Sequence, residues 1–168
     1  MNRERVAEAI RLREDGRTRQ DEATLEQART LLLELGAAYP EDAEITYQTA
    51  IAHDNLGLER EAIDFYVRAL AQGLSGADRE RALLGPGSTY RGLGEYHVAV
   101  ETLRAGVSEF PRNRALQVFL AMALYNIQRH TEAMELLLTN LIETTTDEKL
   151  IYYKRPLTYY AAHLDEVE

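Results

Sequence analysis

Apolar side chains recur along this chain at the spacing of a helix face. Val6, Ala9, Ile10 and Leu12 mark a first helix that the pattern ends near Gly16, and the wholly polar run Arg17-Thr18-Arg19-Gln20-Asp21-Glu22 reads as a lengthened, solvated turn. Leu25, Ala28, Leu31, Leu32 and Leu35 mark a second helix, stopped at Tyr39-Pro40 because a residue before proline is pushed out of helical geometry. Asp42 and Asn113 stand where a side-chain oxygen caps the free amides of a following helix, and Gly57 and Gly94 stand where helices end in a left-handed turn. The predicted helices after the caps continue to Gly57 and over 116–127, and their partners run over about 60–72, 96–110 and 131–142. Thr145 and Glu148 have capping-box spacing before a last helix whose apolar face is Leu150, Tyr153, Leu157, Tyr160, Ala161 and Leu164, with Pro156 expected to bend it.

The pattern is periodic on a longer scale as well. Leu56-Gly57-Leu58-Glu59-Arg60-Glu61-Ala62-Ile63 recurs in skeleton as Leu93-Gly94-Glu95-Tyr96-His97-Val98-Ala99-Val100 and as Ile127-Gln128-Arg129-His130-Thr131-Glu132-Ala133-Met134. A degenerate copy centres on Ala28, so Ala28, Ala62, Ala99 and Ala133 lie 34, 37 and 34 residues apart. A fixed period of this size is the mark of a repeat architecture. Small residues recur where two helices must approach closely, at Ala50, Gly87 and Ala121 on first helices and at the alanines of the skeleton on second helices.

These residues at these offsets resemble the tetratricopeptide repeat, a unit of about 34 residues folded as a pair of antiparallel helices. The tryptophan position of that pattern is never tryptophan here, and Pro86 stands where a leucine is expected. The resemblance implies an all-α, right-handed solenoid of about four helix pairs, with repeats over approximately 2–40, 43–76, 80–111 and 114–145 in a single domain. A helix over 147–165, without a partner in sequence, caps the last repeat, since a terminal repeat exposes a core face.

Net charge of −9, with 28 acidic against 19 basic residues, speaks against a nucleic-acid ligand, because phosphate neutralisation needs clustered cations. Absence of cysteine removes disulfides, thiolate metal sites and a thiol nucleophile. The start Met1-Asn2-Arg3-Glu4-Arg5-Val6 has no apolar signal core and no stretch has membrane-spanning length, so a cytoplasmic location away from membranes is the default expectation.

The glycine-rich Gly85 to Gly94 looks at first like a phosphate loop, and an enzyme built on it is the weakest of the functional alternatives. A phosphate cradle needs a preceding strand and a helix opening after it, whereas the repeat register puts this segment inside a helix. No two of His53, His97, His130 and His163 share ligand spacing, and Ser75, Ser88 and Ser108 lack a nucleophile's setting, so neither a metal nor another cofactor is expected.

What remains is a surface. In stacks of this kind the first helix of each pair lines the concave face, which the resemblance carries to Tyr47, Gln48, Ile51, Asp54 and Asn55, to Arg81, Ser88 and Arg91, and to Phe119, Met122, Tyr125 and Asn126. Aromatic and thioether side chains suit recognition, and the amides and arginine suit a peptide backbone. The function expected is therefore a non-enzymatic scaffold for a protein or peptide. Self-assembly as a homodimer or larger oligomer through the C-terminal helix is the alternative.

Overall fold

A computed structural model describes residues 3–167; Met1, where the expected leader-free start lies, Asn2, where the first repeat was expected to begin, and Glu168 fall outside it. Every regular element among the described residues is helical. The chain divides into two compact units, Met1–Thr89 and Tyr90–Glu168.

The first unit contains α1 (Arg3–Arg19), α2 (Glu22–Ala38), α3 (Ala43–Asn55), α4 (Glu59–Ala71) and most of α5 (Gly76–Gly92). Helix α1 pairs with α2 and α3 with α4, and α2 also packs on α3. Connections this short oblige successive helices to run back along one another. One core cluster joins Val6, Ala9, Leu32, Leu35, Ile45 and Ala52; another joins Tyr47, Ala50, Ala62, Tyr66, Ala69, Leu74 and Ala82. The second unit contains α6 (Tyr96–Glu109), α7 (Arg114–Asn126), α8 (His130–Thr144), α9 (Glu148–Tyr152) and α10 (Lys154–Ala162). Its core lies along Ala99, Leu103, Leu116, Leu120, Leu124 and Ala133, with α7 between α6 and α8.

The alanines of the repeat lie inside this packing. Ala28, Ala62, Ala99 and Ala133 are all buried, as are Ala50, Gly87 and Ala121. Asp42 accepts from the Ile45 amide and Asn113 from the Leu116 amide, each at 3.0 Å, as capping requires. Gly57 and Gly94 carry φ of +70° and +81°, a left-handed conformation that costs glycine nothing.

Two expectations change. Helix α1 continues through Arg17, Thr18 and Arg19: Arg19 pairs with Asp15 one turn back, and the Thr18 hydroxyl donates to the Glu14 carbonyl. The turn shrinks to Gln20, and Asp21 caps α2 by accepting from the Ala23 and Thr24 amides. The segment 85–92 is helix, as the repeat register required, so its amides belong to the helical ladder and form no phosphate cradle there. Gly85 has a packing role, since a Cβ there would fall 2.7 Å from the Tyr66 ring. The second change is the cap. In place of one bent helix over 147–165 there are two short ones meeting at Tyr153. A continuous helix would need Pro156 to donate to the carbonyl of Tyr152, and proline has no amide to give. Restarting at Lys154 puts Pro156 in a first turn, where a missing amide costs nothing. Asp147 caps α9, and the Thr145 hydroxyl accepts from the Asp147 amide instead of closing a capping box. Helix α10 packs on α8 through Ala161, but Tyr153 and Tyr160 of the expected apolar face are exposed.

Candidate functional site

In the first unit, α1, α3 and the beginning of α5 surround a cavity of about 560 Å³. Tyr47, Gln48, Ile51 and Asn55 all line it, because residues four and eight apart on α3 share one face. Tyr47 contributes little more than an edge. It is 3% exposed, sits in the core cluster with its ring 6.1 Å from that of Tyr66, and burial pushes its phenol up to about 12. Beside it the Tyr66 hydroxyl donates to Asp54 Oδ2 at 2.6 Å. Asp54, expected to face the groove, is held above the ordinary aspartate range chiefly by burial, which outweighs this hydrogen bond.

A raised carboxyl pKa in the folded state means the native protein binds more protons than the unfolded chain just above pH 3.8. The contribution of Asp54 to stability therefore falls as pH rises from 3.8 toward the raised value and stays low above it. Asp54→Asn, which keeps an acceptor for Tyr66, is expected to flatten the stability profile in that window and to raise the melting temperature at neutral pH. Thermal unfolding between about pH 4 and pH 7, followed by circular dichroism, checks both.

The same cavity is lined by residues that the repeat pattern did not single out, Ile10, Arg13, Glu14 and Arg17 of α1. A signal for Arg13 was present. The buried residues of α1 are Val6, Ala9, Arg13 and Gly16, a three-four-three spacing that places a cation in the middle of the buried stripe.

In the second unit Arg91, Met122, Tyr125 and Asn126 come together around a mostly apolar cavity of about 410 Å³, with Met134 and Leu137 of α8 forming its other wall. Tyr125 is 62% exposed and Met122 37% exposed. The ring of Tyr125 lies 4.8 Å from that of His130, and Arg91 Nη1 donates to Asn126 Oδ1 at a long 3.5 Å. Met134 and Leu137 were missed because second-helix positions are expected to be covered. Here α10 covers only part of α8, and both side chains stay in reach of solvent. Ser88 and Phe119, half-buried, line neither cavity.

Among the described residues, no group of three or more histidine and acidic side chains is placed to hold a metal ion, and no helix is long and apolar enough to cross a membrane. A search of curated proteins finds no match. The fold resembles that of several solved structures, two of them MamA chains. MamA 41-end from Desulfovibrio magneticus RS-1 is 19% identical with a TM-score of 0.67, over 92% of this chain and 89% of that one. The MamA RS-1 ArsTM double mutant is 19% identical with a TM-score of 0.62, over 95% of this chain and 97% of that one. A family model described as tetratrico peptide repeat matches residues 43–164, most of the chain and all of the three well-formed copies. With that match and the helix pairs around buried alanines at the repeat period, the chain belongs to the tetratricopeptide repeat family.

Proposed function

We propose that this protein is a non-enzymatic, cytoplasmic binding module that takes up segments of a protein or peptide partner on the faces presented by α3 and α7. The observation that carries the reading is Tyr125 with Met122 beside an open apolar cavity. Large aromatic and thioether groups in water cost free energy that a partner's apolar side chain recovers on docking. The supporting helices are already formed, so little ordering entropy is lost by the receptor. Photo-crosslinking tests this. A benzophenone side chain introduced at Tyr125 is expected to trap partner polypeptide, while one at exposed Val67 on α4 traps none; the reverse pattern would refute the reading.

A second reading is favoured by one observation. Tyr152, Tyr153, Tyr159 and Tyr160 all stand exposed on α9, at the joint and on α10, a tyrosine-rich surface suited to contact with another copy as a homodimer or larger assembly. Sedimentation over a wide concentration range separates the two readings, with a single monomeric species counting against assembly.

A further inference from the structure

Helix α10 carries its charges against its own dipole. Anions stabilise the beginning of a helix and cations its end. Helices α2, α3, α4, α5, α8 and α9 follow that rule, each with an acidic side chain in its first turn. Helix α10 instead opens on Lys154 and Arg155, has no acidic side chain in its first turn, and is followed past its C-cap His163 by Asp165 and Glu166. Helix α7 also opens on a cation, but there Glu143 of α8 pairs with Arg114. Lys154 and Arg155 are exposed and have no such partner among the described residues. The single turn of α9 before them presents only a weak helix end to neutralise. Their acidic counterparts fare little better. Asp165 accepts from the neutral Thr131 hydroxyl at 2.8 Å, and Glu166 stands 3.4 Å from the Tyr159 hydroxyl and 3.9 Å from His163.

Between the two charged ends lies an aromatic middle. Ala161 is buried where α10 packs on α8, so the opposite side of the helix, with Arg155 and Tyr159 one turn apart, looks outward. Tyr159 and Tyr160 are both more than half exposed, with their rings edge to face at 5.7 Å. The Tyr159 ring also stacks on His163 at 4.2 Å, which holds it in place before any contact is made. Aromatic anchors of this kind suit the dry centre of an interface.

An unrelated acidic partner would neutralise Lys154 and Arg155 and leave Asp165 and Glu166 as they are; a basic one would do the reverse. A second copy of the same helix, laid antiparallel, does both. About a two-fold axis at Tyr160, Lys154 falls opposite Glu166 and Arg155 opposite Asp165, because the members of each pair are equally spaced in sequence on either side of residue 160. The start of each helix then also lies beside the end of the other, where the opposed dipoles attract. We propose that the protein forms a closed two-fold dimer in which the α10 helices of two copies pack antiparallel around Tyr159 and Tyr160, with Lys154 and Arg155 of each against Glu166 and Asp165 of the other. The proposal rests on the assembly reading and adds its surface, symmetry and charge pairs; a closed pair excludes the larger assembly.

The experiment is sedimentation equilibrium of the full chain over a wide concentration range, with charge-reversed variants alone and mixed. The parent is expected to reach dimers and go no further. Lys154→Glu with Arg155→Glu is expected to weaken dimerisation about 100-fold or more, and so is Asp165→Lys with Glu166→Lys. The second pair of changes makes an acidic chain less negative, so a general relief of repulsion would strengthen association instead. An equimolar mixture of the two variants should recover the parent's affinity, because opposite charges then meet at both ends, and that recovery shows both variants folded. Lys154→Glu alone puts an acid in the first turn of α10, which favours the helix, and is expected to weaken dimerisation about tenfold. Arg112→Glu, exposed before α7, should leave it unchanged. Unaltered dimerisation in the charge variants, no recovery on mixing, an equal loss in Arg112→Glu, or growth of the parent beyond the dimer would each overturn the proposal while leaving assembly through another surface. A parent that stays monomeric throughout would overturn the proposal and the assembly reading together.

Discussion

Alanine at both Met122 and Tyr125 is expected to weaken partner binding about 100-fold or more while leaving the helical circular dichroism and the unfolding midpoint almost unchanged. The two halves of this expectation have one cause. Both side chains lie on α7 beside the same apolar cavity, but they give much of their surface to water and so contribute little to the fold. A partner side chain entering the cavity would dry them, and buried aromatic anchors carry a disproportionate share of interface energy. Isothermal titration against the captured partner gives the affinity, and urea unfolding of the same samples gives the stability. A large loss of stability would mean that the two residues are core and that the surface lies elsewhere.

Leu32→Ala is expected to have the opposite profile, a loss of about 3 kcal/mol of folding stability. Leu32 is fully buried in the cluster that joins α1, α2 and α3 through Val6, Ala9, Leu35, Ile45 and Ala52. Removing its branched end takes away both the transfer free energy and the contacts around the cavity left behind. A domain stable by only about 5–15 kcal/mol loses a substantial fraction of its margin by such a change. Val67→Ala, on the exposed side of α4, is the matched control and is expected to stay within about 0.5 kcal/mol of the parent in urea unfolding.

The repeat was legible because its constraint is steric and therefore local in sequence. Where two helices approach closely only alanine or glycine fits, so Ala28, Ala62, Ala99 and Ala133 announce the pairs, and Asp42, Asn113, Gly57 and Gly94 announce their ends. The C-terminal cap was less legible. Hydrophobic spacing is blind to the hydrogen bond that Pro156 cannot make, and that bond decides whether one helix or two forms. Arg17 to Arg19 read as a turn for a related reason: a polar helical turn bridged by Asp15 and Arg19 carries no apolar stripe to mark it.

The candidate surface divides in the same manner. First-helix register placed Gln48, Ile51 and Asn55 on one cavity and Arg91, Met122, Tyr125 and Asn126 on another. Register does not report depth, however, and Tyr47 proved to be largely core because the Tyr66 ring and Ala82 pack against it. Arg13 escaped notice because the first copy is degenerate, and a cation within a buried stripe reads as an irregularity until its neighbours are known. Such irregularities mark places where local rules yield to another demand. Here Arg13 is buried within the stripe of α1 and lines the first unit's cavity.

The claim on which the account turns is that partners dock on the groove faces of the first helices, and backbone hydrogen exchange of the full chain with and without the captured partner addresses it most directly. Slower exchange in α3 and α7, with α4 unchanged along its exposed side, is the predicted result. Protection confined to α9 and α10, with α3 and α7 exchanging as they do in the free protein, would contradict it.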